Sequence, residues 1–320
     1  MPLKIGCVIP CYKGDVKTLE VVSQALKYVD KIVFIDDCCP YKTGLLIKEK
    51  LSKRKEFKVI FNNSRLGVGG SCKLGFNYLI NDGCEIIIKI DADGQMNPNL
   101  IPKLIDPILK GEAEAVKGNR FNRIEDIKTM PKIRIIGNLG LSFLNKLSTG
   151  YWELFDPTNG FLAFKSKIIS DLQLEKIDNK YFFESDLLFR CALNNVYFAQ
   201  IRMKSSYKNE ISSLKPIREI LSFSTKHFQN LLKRIFYQYF ILDFNIGSLD
   251  LLGFGATFTL LLFISLKVVI RGFLEQIYAS PGEANLITIL SLLTTQLIHG
   301  FIYFDSTQKP LLRRLTKHRN

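Results

Sequence analysis

At 320 residues, with 47% hydrophobic content and a mean hydropathy of +0.09, the chain can hold one ordinary catalytic domain plus something more apolar than a soluble domain needs. Lys and Arg number 44 against 30 Asp and Glu, a formal net charge of +14. A basic balance of this kind suits nucleic acid or a membrane surface; nucleic acid is set aside because no recognised signature for it occurs and the basic residues cluster beside the apolar runs.

Strand patterns at 3–9, 31–35, 57–61, 85–90 and 113–117 alternate with helical periodicity at 16–28, 42–51, 70–80 and 99–109. This alternation predicts an α/β domain, a mostly parallel Rossmann-like sheet with helices on both faces. Further on, 119–132 reads as loop, 134–147 as helix, 160–164 as strand and 183–193 as helix, a stretch expected to build an acceptor subsite. Segment 214–240 interleaves apolar residues with Arg218, Lys226, Lys233 and Arg234, the composition of a helix lying along a membrane surface. A core helix of the soluble domain is the plainer alternative.

No residue from 251 to 266 is charged, and none from 284 to 304, where His299 is the only histidine. Two helices of about 20 residues would span a ~30 Å hydrocarbon core, with Lys267 snorkelling at one end. A pair of buried helices is the alternative, but the terminal position and the short connection 268–283 argue for a hairpin in the bilayer. Lys204, Lys208, Lys215, Arg218, Lys226, Lys233 and Arg234 precede the first span, and Lys309, Arg313, Arg314, Lys317 and Arg319 follow the second. Positive charge flanking both ends predicts both termini in the cytoplasm and the connection outside. The expected organisation is a catalytic domain at 1–213, an amphipathic juxtamembrane region at 214–246, the hairpin at 247–308 and a basic tail at 309–320.

Cys7, Cys11, Cys38, Cys39, Cys72, Cys84 and Cys191 all precede the spans, on the expected cytoplasmic side, where disulfides are not anticipated. C-x-x-C and His-partner spacings are lacking, which argues against zinc. Residues 1–6 run straight into the first strand, so no signal peptide is expected and insertion would depend on the hairpin.

The run Ile88-Lys89-Ile90-Asp91-Ala92-Asp93-Gly94-Gln95 carries the chemistry: a hydrophobic strand ending in two carboxylates one residue apart. At the carboxyl edge of a parallel sheet, two carboxylates aimed at one point repel unless a cation separates them. Mg²⁺ or Mn²⁺ shared with a diphosphate is the natural occupant. A turn with two solvated aspartates is the bland alternative. On the same edge, the first strand leads through Pro10 to Tyr12 and the second ends in Asp36 and Asp37, groups suited to stack on a base or accept from base and ribose. A third strand leads through Arg65 into Gly67-Val68-Gly69-Gly70, where glycines would let backbone approach phosphates, or simply start a helix.

These residues together resemble family 2 glycosyltransferases of the GT-A fold. The resemblance rests on Ile9-Pro10-Cys11-Tyr12, Asp36-Asp37, the Asn63 to Gly70 loop and Asp91-Ala92-Asp93-Gly94-Gln95. Gly118-Asn119-Arg120-Phe121 and Asp156-Pro157-Thr158-Asn159-Gly160-Phe161 are similar to later motifs of the dolichol-phosphate mannosyltransferase and polyprenyl-phosphate glycosyltransferase branch, as is the terminal hairpin. The resemblance implies that Pro10 and Tyr12 line the base, Asp36 and Asp37 hold base or ribose, Asp91 and Asp93 bind metal and diphosphate, and Gln95 completes the metal shell. It further implies that Arg120 and Arg134 contact phosphate, that Asp156 and Glu184 lie near the sugar, and that 207–214 is a mobile loop with Lys208 as a diphosphate ligand. Asp156 capping the turn at Pro157 is the alternative for that residue.

Lys13-Gly14-Asp15 and Cys38-Cys39 depart from the family pattern beside the base. The Gln-x-x-Arg-Trp signature of processive synthases is lacking, since Trp152 follows Tyr151. The expected function is inverting, metal-dependent transfer of one sugar from a UDP- or GDP-linked donor to a polyprenyl phosphate, with homo-oligomerisation left open. Another membrane acceptor, a nucleotidyltransferase that releases pyrophosphate, and a non-catalytic membrane scaffold are the alternatives.

Overall fold

The computed structural model describes residues 3–121, 132–204 and 216–317. Among them the β-rich runs Ile5–Cys11 (β1), Lys31–Asp36 (β2), Phe57–Phe61 (β3), Ile86–Lys89 (β4), Ala115–Asn119 (β5), Leu162–Lys165 (β6) and Phe198–Arg202 (β7) form one mixed sheet. Its order is β3-β2-β1-β4-β6-β5-β7. β6 runs antiparallel to β4 and β5, and every other pairing is parallel. The helices of this part are Val16–Ala25 (α1), Thr43–Lys50 (α2), Gly67–Asn81 (α3), Ile101–Leu109 (α4), Lys132–Thr149 (α5), Ser166–Asp171 (α6) and Phe183–Leu193 (α7).

Strand alternation sorts the core into two layers. Cys7, Ile9, Ile32, Phe34, Ile88 and Ile90 face α1 and α4 through Val21, Val22, Ile101 and Leu104. Val8, Val33, Ile35 and Ile87 face α3 and α7 through Phe76, Leu79, Leu187 and Leu188. Ala115 joins the second layer, so by the same period Lys89, two after Ile87, and Lys117, two after Ala115, fall on the α3/α7 face.

Three differences from the sequence expectation have local causes. β1 runs on through Pro10 to Cys11, because the next ladder bond, from the Asp37 N–H to the Cys11 carbonyl at 2.9 Å, needs a carbonyl and not the N–H that proline lacks. β7 was not expected: FAQIR is a short, largely half-buried edge strand whose pattern is too weak to read alone. Helix α6, six residues long, was likewise passed over. The seven cysteines are free thiols, and only Cys38 of them is exposed.

The chain divides into two compact units, Met1–Asn230 and Leu231–Asn320. Helix Pro216–Phe236 (α8) begins in the first, where it buries Phe223, His227 and Asn230. The rings of Phe223 and His227 meet Phe182 edge-on at 5.5 and 4.9 Å, and Asn230 donates to Asp186 at 3.0 Å. Leu221 and Phe228 are left exposed on the same helix, so the apolar surface is not all turned to the core. His227 Nδ1 lies 2.8 Å from Ser148 Oγ, and burial pushes the imidazole pKa down to about 4.

In the second unit a π-helical turn, Tyr237–Ile241, precedes two long helices, Ile246–Glu275 (α9) and Pro281–Lys317 (α10). Asn245 and Ser248 cap the start of α9 reciprocally. Thr294 meets Thr257 at 3.0 Å, Gly300 lies against Asp250, and Arg271 pairs with Glu283 at 2.6 Å, a register that makes α9 and α10 an antiparallel hairpin. Residues Ile246–Glu275 and Pro281–Thr307 are long and apolar enough to cross a membrane. The turn is tighter than the sequence suggested, since helix continues from 268 to 275. Arg234, wholly buried, makes a two-pronged pair with Asp305 at 2.7 and 3.0 Å, and Tyr239 donates to the same carboxylate at 2.7 Å.

Removing one partner of a buried pair strands the other charge. Asp305→Ala is therefore expected to cost roughly 3–5 kcal/mol, read as a lowered melting temperature of the detergent-solubilised protein, whereas Arg234→Met with Asp305→Leu should be far milder. A histidine whose folded pKa lies below its unfolded value of ~6.5 stabilises the fold above that value. Stability of the full chain should then fall as pH drops from about 6.5 through about 4, and His227→Gln should flatten that part of the denaturation-versus-pH curve.

Candidate active site

Open α/β sheets bind ligands outside the carboxyl ends of their strands, where the direction of winding reverses. β1 lies between β2 and β4, so the chain winds outward to β3 and then returns to the far side of β1. The reversal therefore falls between β1 and β4, whose ends lead into Tyr12 and into Asp91 to Gln95.

β4 ends at Lys89, so Asp91 and Asp93 stand on a turn instead of an extended strand. The alternation argument for a shared direction does not reach them. Asp93 is exposed, and its Oδ1 accepts from the Gln95 N–H at 2.9 Å. Asp91 is half-buried. Its Oδ1 lies 2.7 Å from Lys89 Nζ, which also donates to Glu184 Oε1 at 2.7 Å. Lys89 has no exposed surface. Burial alone would lower its pKa, but the two carboxylates outweigh it and hold the ammonium charged. Gly160 closes the other side: a Cβ there would collide with Lys89 Nζ and come within 2.5 Å of Asp91 Oδ2.

Lys117 is the second buried lysine, and its Nζ donates to the Asn159 carbonyl. Burial pulls its pKa down to about 8 against the opposing pull of Asp156 and Glu184. Asp156, fully buried and held at φ +57°, receives Arg120 in a two-pronged contact, Nε to Oδ2 at 2.7 Å and Nη2 to Oδ1 at 2.5 Å. The Arg120 N–H and Asn159 Nδ2 each add a bond to Oδ2 at 3.1 Å. Burial would raise the Asp156 pKa, but the guanidinium holds it below the usual carboxylate range. Asp156 thus fixes the Arg120 guanidinium, while its own carbonyl accepts the Asn159 N–H at 3.1 Å across the turn at Pro157. Lys89 and Lys117 escaped the sequence reading; the available signal was a lysine inside each of two apolar strand ends, IIIK and AVK.

A second group lies at the ends of β1 and β2. Arg65 stacks its guanidinium on the Tyr12 ring, 3.8 Å from the centroid, and both side chains are exposed. Pro10 is buried in β1 opposite Ile35. Asp36 accepts the N–H groups of Cys39 at 2.7 Å and Gly44 at 2.9 Å. Asp37 accepts those of Leu66 at 2.7 Å and Gly67 at 2.8 Å, together with Asn62 Nδ2 at 2.7 Å. Both carboxylates therefore shape loops from within. Gly67 takes φ +85°, and the N–H groups of Gly69 and Gly70 go to the Asn179 carbonyl at 2.9 and 3.2 Å. The glycines let this protein loop, at residues 178–180, approach α3 closely; a Cβ on Gly69 would strike the Asp178 carbonyl. Arg134 falls in the first turn of α5 with its side chain outside the described residues, and Lys208 lies outside them altogether.

Among the described residues, no three His, Cys, Asp or Glu side chains come together to cage a metal. Asp91 and Asp93 nevertheless offer hard carboxylate oxygens, Asp91 with 28% of its side chain exposed and Asp93 exposed. Such a pair fits a Mg²⁺ or Mn²⁺ ion that draws the rest of its shell from diphosphate oxygens and water. Asp37→Ala should release the Leu66 and Gly67 amides, costing roughly 2–3 kcal/mol and speeding hydrogen exchange across residues 66–70.

Residues 7–173, half of the chain, match the sequence profile of glycosyl transferase family 2. The UDP-N-acetylglucosamine–dolichyl-phosphate N-acetylglucosaminyltransferase of Methanococcus voltae is 29% identical over 216 residues, covering 63% of this chain and 86% of that one. The dolichol-phosphate mannosyltransferase of Pyrococcus furiosus is 28% identical over 189 residues, 57% of this chain and 52% of that one. Glucosyl-3-phosphoglycerate synthase from Mycobacterium tuberculosis, solved with Mn²⁺, UDP and glucosyl-3-phosphoglycerate, superposes with a TM-score of 0.53 at 19% identity over 73% of this chain and 80% of that one, a likeness of fold. With the profile spanning half of its length and the GT-A sheet beneath it, the chain belongs to glycosyl transferase family 2 and is a glycosyltransferase.

Proposed function

We propose that the protein transfers a single sugar, with inversion, from a UDP- or GDP-linked donor to a polyprenyl phosphate at the cytoplasmic face of a membrane. The observation that carries this reading is the charged cluster at the carboxyl end of the sheet, where Lys89 joins Asp91 to Glu184 and Lys117 lies within electrostatic reach of Glu184, Asp156 and Arg120, together with the Tyr12–Arg65 stack beyond the end of β1. Relatives named for transfer to dolichyl phosphate, and two helices apolar enough to cross a bilayer, support the choice of acceptor.

In this reading Pro10, Tyr12, Arg65, Asp36, Asp37 and Gly67 frame the nucleotide, the two aspartates by holding its loops in shape. Asp91 and Asp93, with Gln95, would hold Mg²⁺ or Mn²⁺, which when bound supplies positive charge to the departing diphosphate. The acceptor phosphate is largely ionised at neutral pH, with a second pKa near ~6, and needs no strong base. One of its oxygens attacks the anomeric carbon, the new C–O bond forms, and the bond to the nucleoside diphosphate breaks. Arg120, aimed by Asp156, stabilises phosphate charge with Arg134 and Lys208, while Glu184 borders the sugar. Residues 1–213 act as the catalytic domain, 214–246 lie along the membrane surface, 247–308 anchor the chain and 309–320 form a cytoplasmic tail.

Membranes containing the protein, given radiolabelled UDP-N-acetylglucosamine, UDP-glucose or GDP-mannose with polyprenyl phosphate and Mg²⁺ or Mn²⁺, should yield metal-dependent label in the organic phase from one donor. Asp91→Asn should lower that transfer by about 100-fold or more while remaining folded and membrane-bound. Released pyrophosphate in place of nucleoside diphosphate, or full activity in Asp91→Asn, would overturn the reading.

A further inference from the structure

Lys89 presents a physical puzzle. An ammonium with no exposed surface, on a central strand among isoleucines, costs several kcal/mol of desolvation unless its partners compensate. It pairs with Asp91 Oδ1 and Glu184 Oε1, each at 2.7 Å. Lys89 cannot swing away, because the Gly160 backbone approaches so closely that even a methyl group there would strike Nζ. Nor can it reach a substrate, since it has no exposed surface, while Asp91 keeps 28% of its side chain exposed.

From this geometry we infer that Lys89 is a positioning residue that acts through Asp91: it makes occupation of the Asp91/Asp93 cation site depend on the donor's diphosphate. The inference rests on the cation site assigned to these aspartates above. The ammonium holds Asp91 through Oδ1. The same positive charge repels a dication arriving alone at this carboxylate, an interaction weakened little by solvent because Lys89 is dry. Glu184, the third carboxylate here, is committed to Lys89 itself at 2.7 Å, and among the described residues no three acidic, His or Cys side chains gather to cage a cation. A diphosphate brings negative charges that restore the balance. Metal and nucleotide therefore enter as a thermodynamically coupled pair, each tightening the other by the same factor.

The test is Mn²⁺ binding to the detergent-solubilised full chain, read from the electron paramagnetic resonance signal of free Mn²⁺, without nucleotide and with UDP or GDP. The wild type should bind Mn²⁺ weakly alone and at least tenfold more tightly with one of the nucleotides. Lys89→Met should bind Mn²⁺ alone at least tenfold more tightly than the wild type, and the gain from nucleotide should shrink correspondingly. Because Lys89→Met leaves Glu184 without its partner, the comparison is repeated as Lys89→Met/Glu184→Gln against Glu184→Gln, where the same tenfold gain is expected in a protein spared the stranded carboxylate. Unchanged or weaker binding of Mn²⁺ alone in both comparisons, or an unchanged nucleotide effect, would overturn the inference. A purely structural lysine would lower the melting temperature and leave the coupling as it was. Failure of the proposed transfer reaction would appear separately, as no labelled lipid from the wild type, and would leave these binding constants to judge Lys89 on their own.

Discussion

Buried charge has to be balanced where it sits, and that requirement organises the carboxyl end of this sheet. Lys89, Lys117 and Arg120 are met by Asp91, Glu184 and Asp156 through direct pairs or within electrostatic reach. Each pair ties a strand end to a loop or a helix start: β4 to α7 through Lys89 and Glu184, the end of β5 to the turn before β6 through Arg120 and Asp156. Loss of either tie would leave a desolvated charge and two backbone segments without their register. The same contacts hold the chemistry in place, so rigidity of the site and stability of the sheet edge have one origin.

The nucleotide side is organised differently. There the aspartates that end β2 are consumed by loop amides, and the glycines of α3 serve close packing against residues 178–180. What stays exposed is the Tyr12 ring with the Arg65 guanidinium stacked on it. A flat, cationic platform over a hydrogen-bonded framework suits recognition of a base by stacking with little reorganisation. The hairpin unit has its own buried ion pair, Arg234 with Asp305, next to segments whose large apolar side chains face outward. An ion pair specifies how the end of α8 meets α10, a choice that uniformly apolar surfaces would leave loose.

Much of this was legible in the residues. The αβ alternation, the carboxyl-edge position of Asp91 and the terminal hairpin follow from hydrophobic period, strand-end chemistry and span length, which are local properties; the motifs around Arg120 and Asp156 were legible only through the family resemblance. Helix 183–193 and strand 57–61 agree with their expected limits because strong periodicity and turn residues bound them. Lys89 was overlooked because a lysine in a strand usually marks a solvated face, and only the layer of α3 and α7 over that strand makes it buried. The glycine run 67–70 suggested phosphate because glycine in sequence signals close approach without naming what approaches; here it is the Asn179 carbonyl, more than a hundred residues on.

Sequence by itself therefore determined the class of fold, the family, the edge of the sheet that carries the candidate site and the apolar hairpin, since each depends on period, composition or residues close together in the chain. Tertiary structure alone decided which charges are dry and which carboxylates are already taken. Those outcomes depend on distances between segments such as Lys89 and Glu184, 95 positions apart, and desolvation arises only when both are brought together away from water.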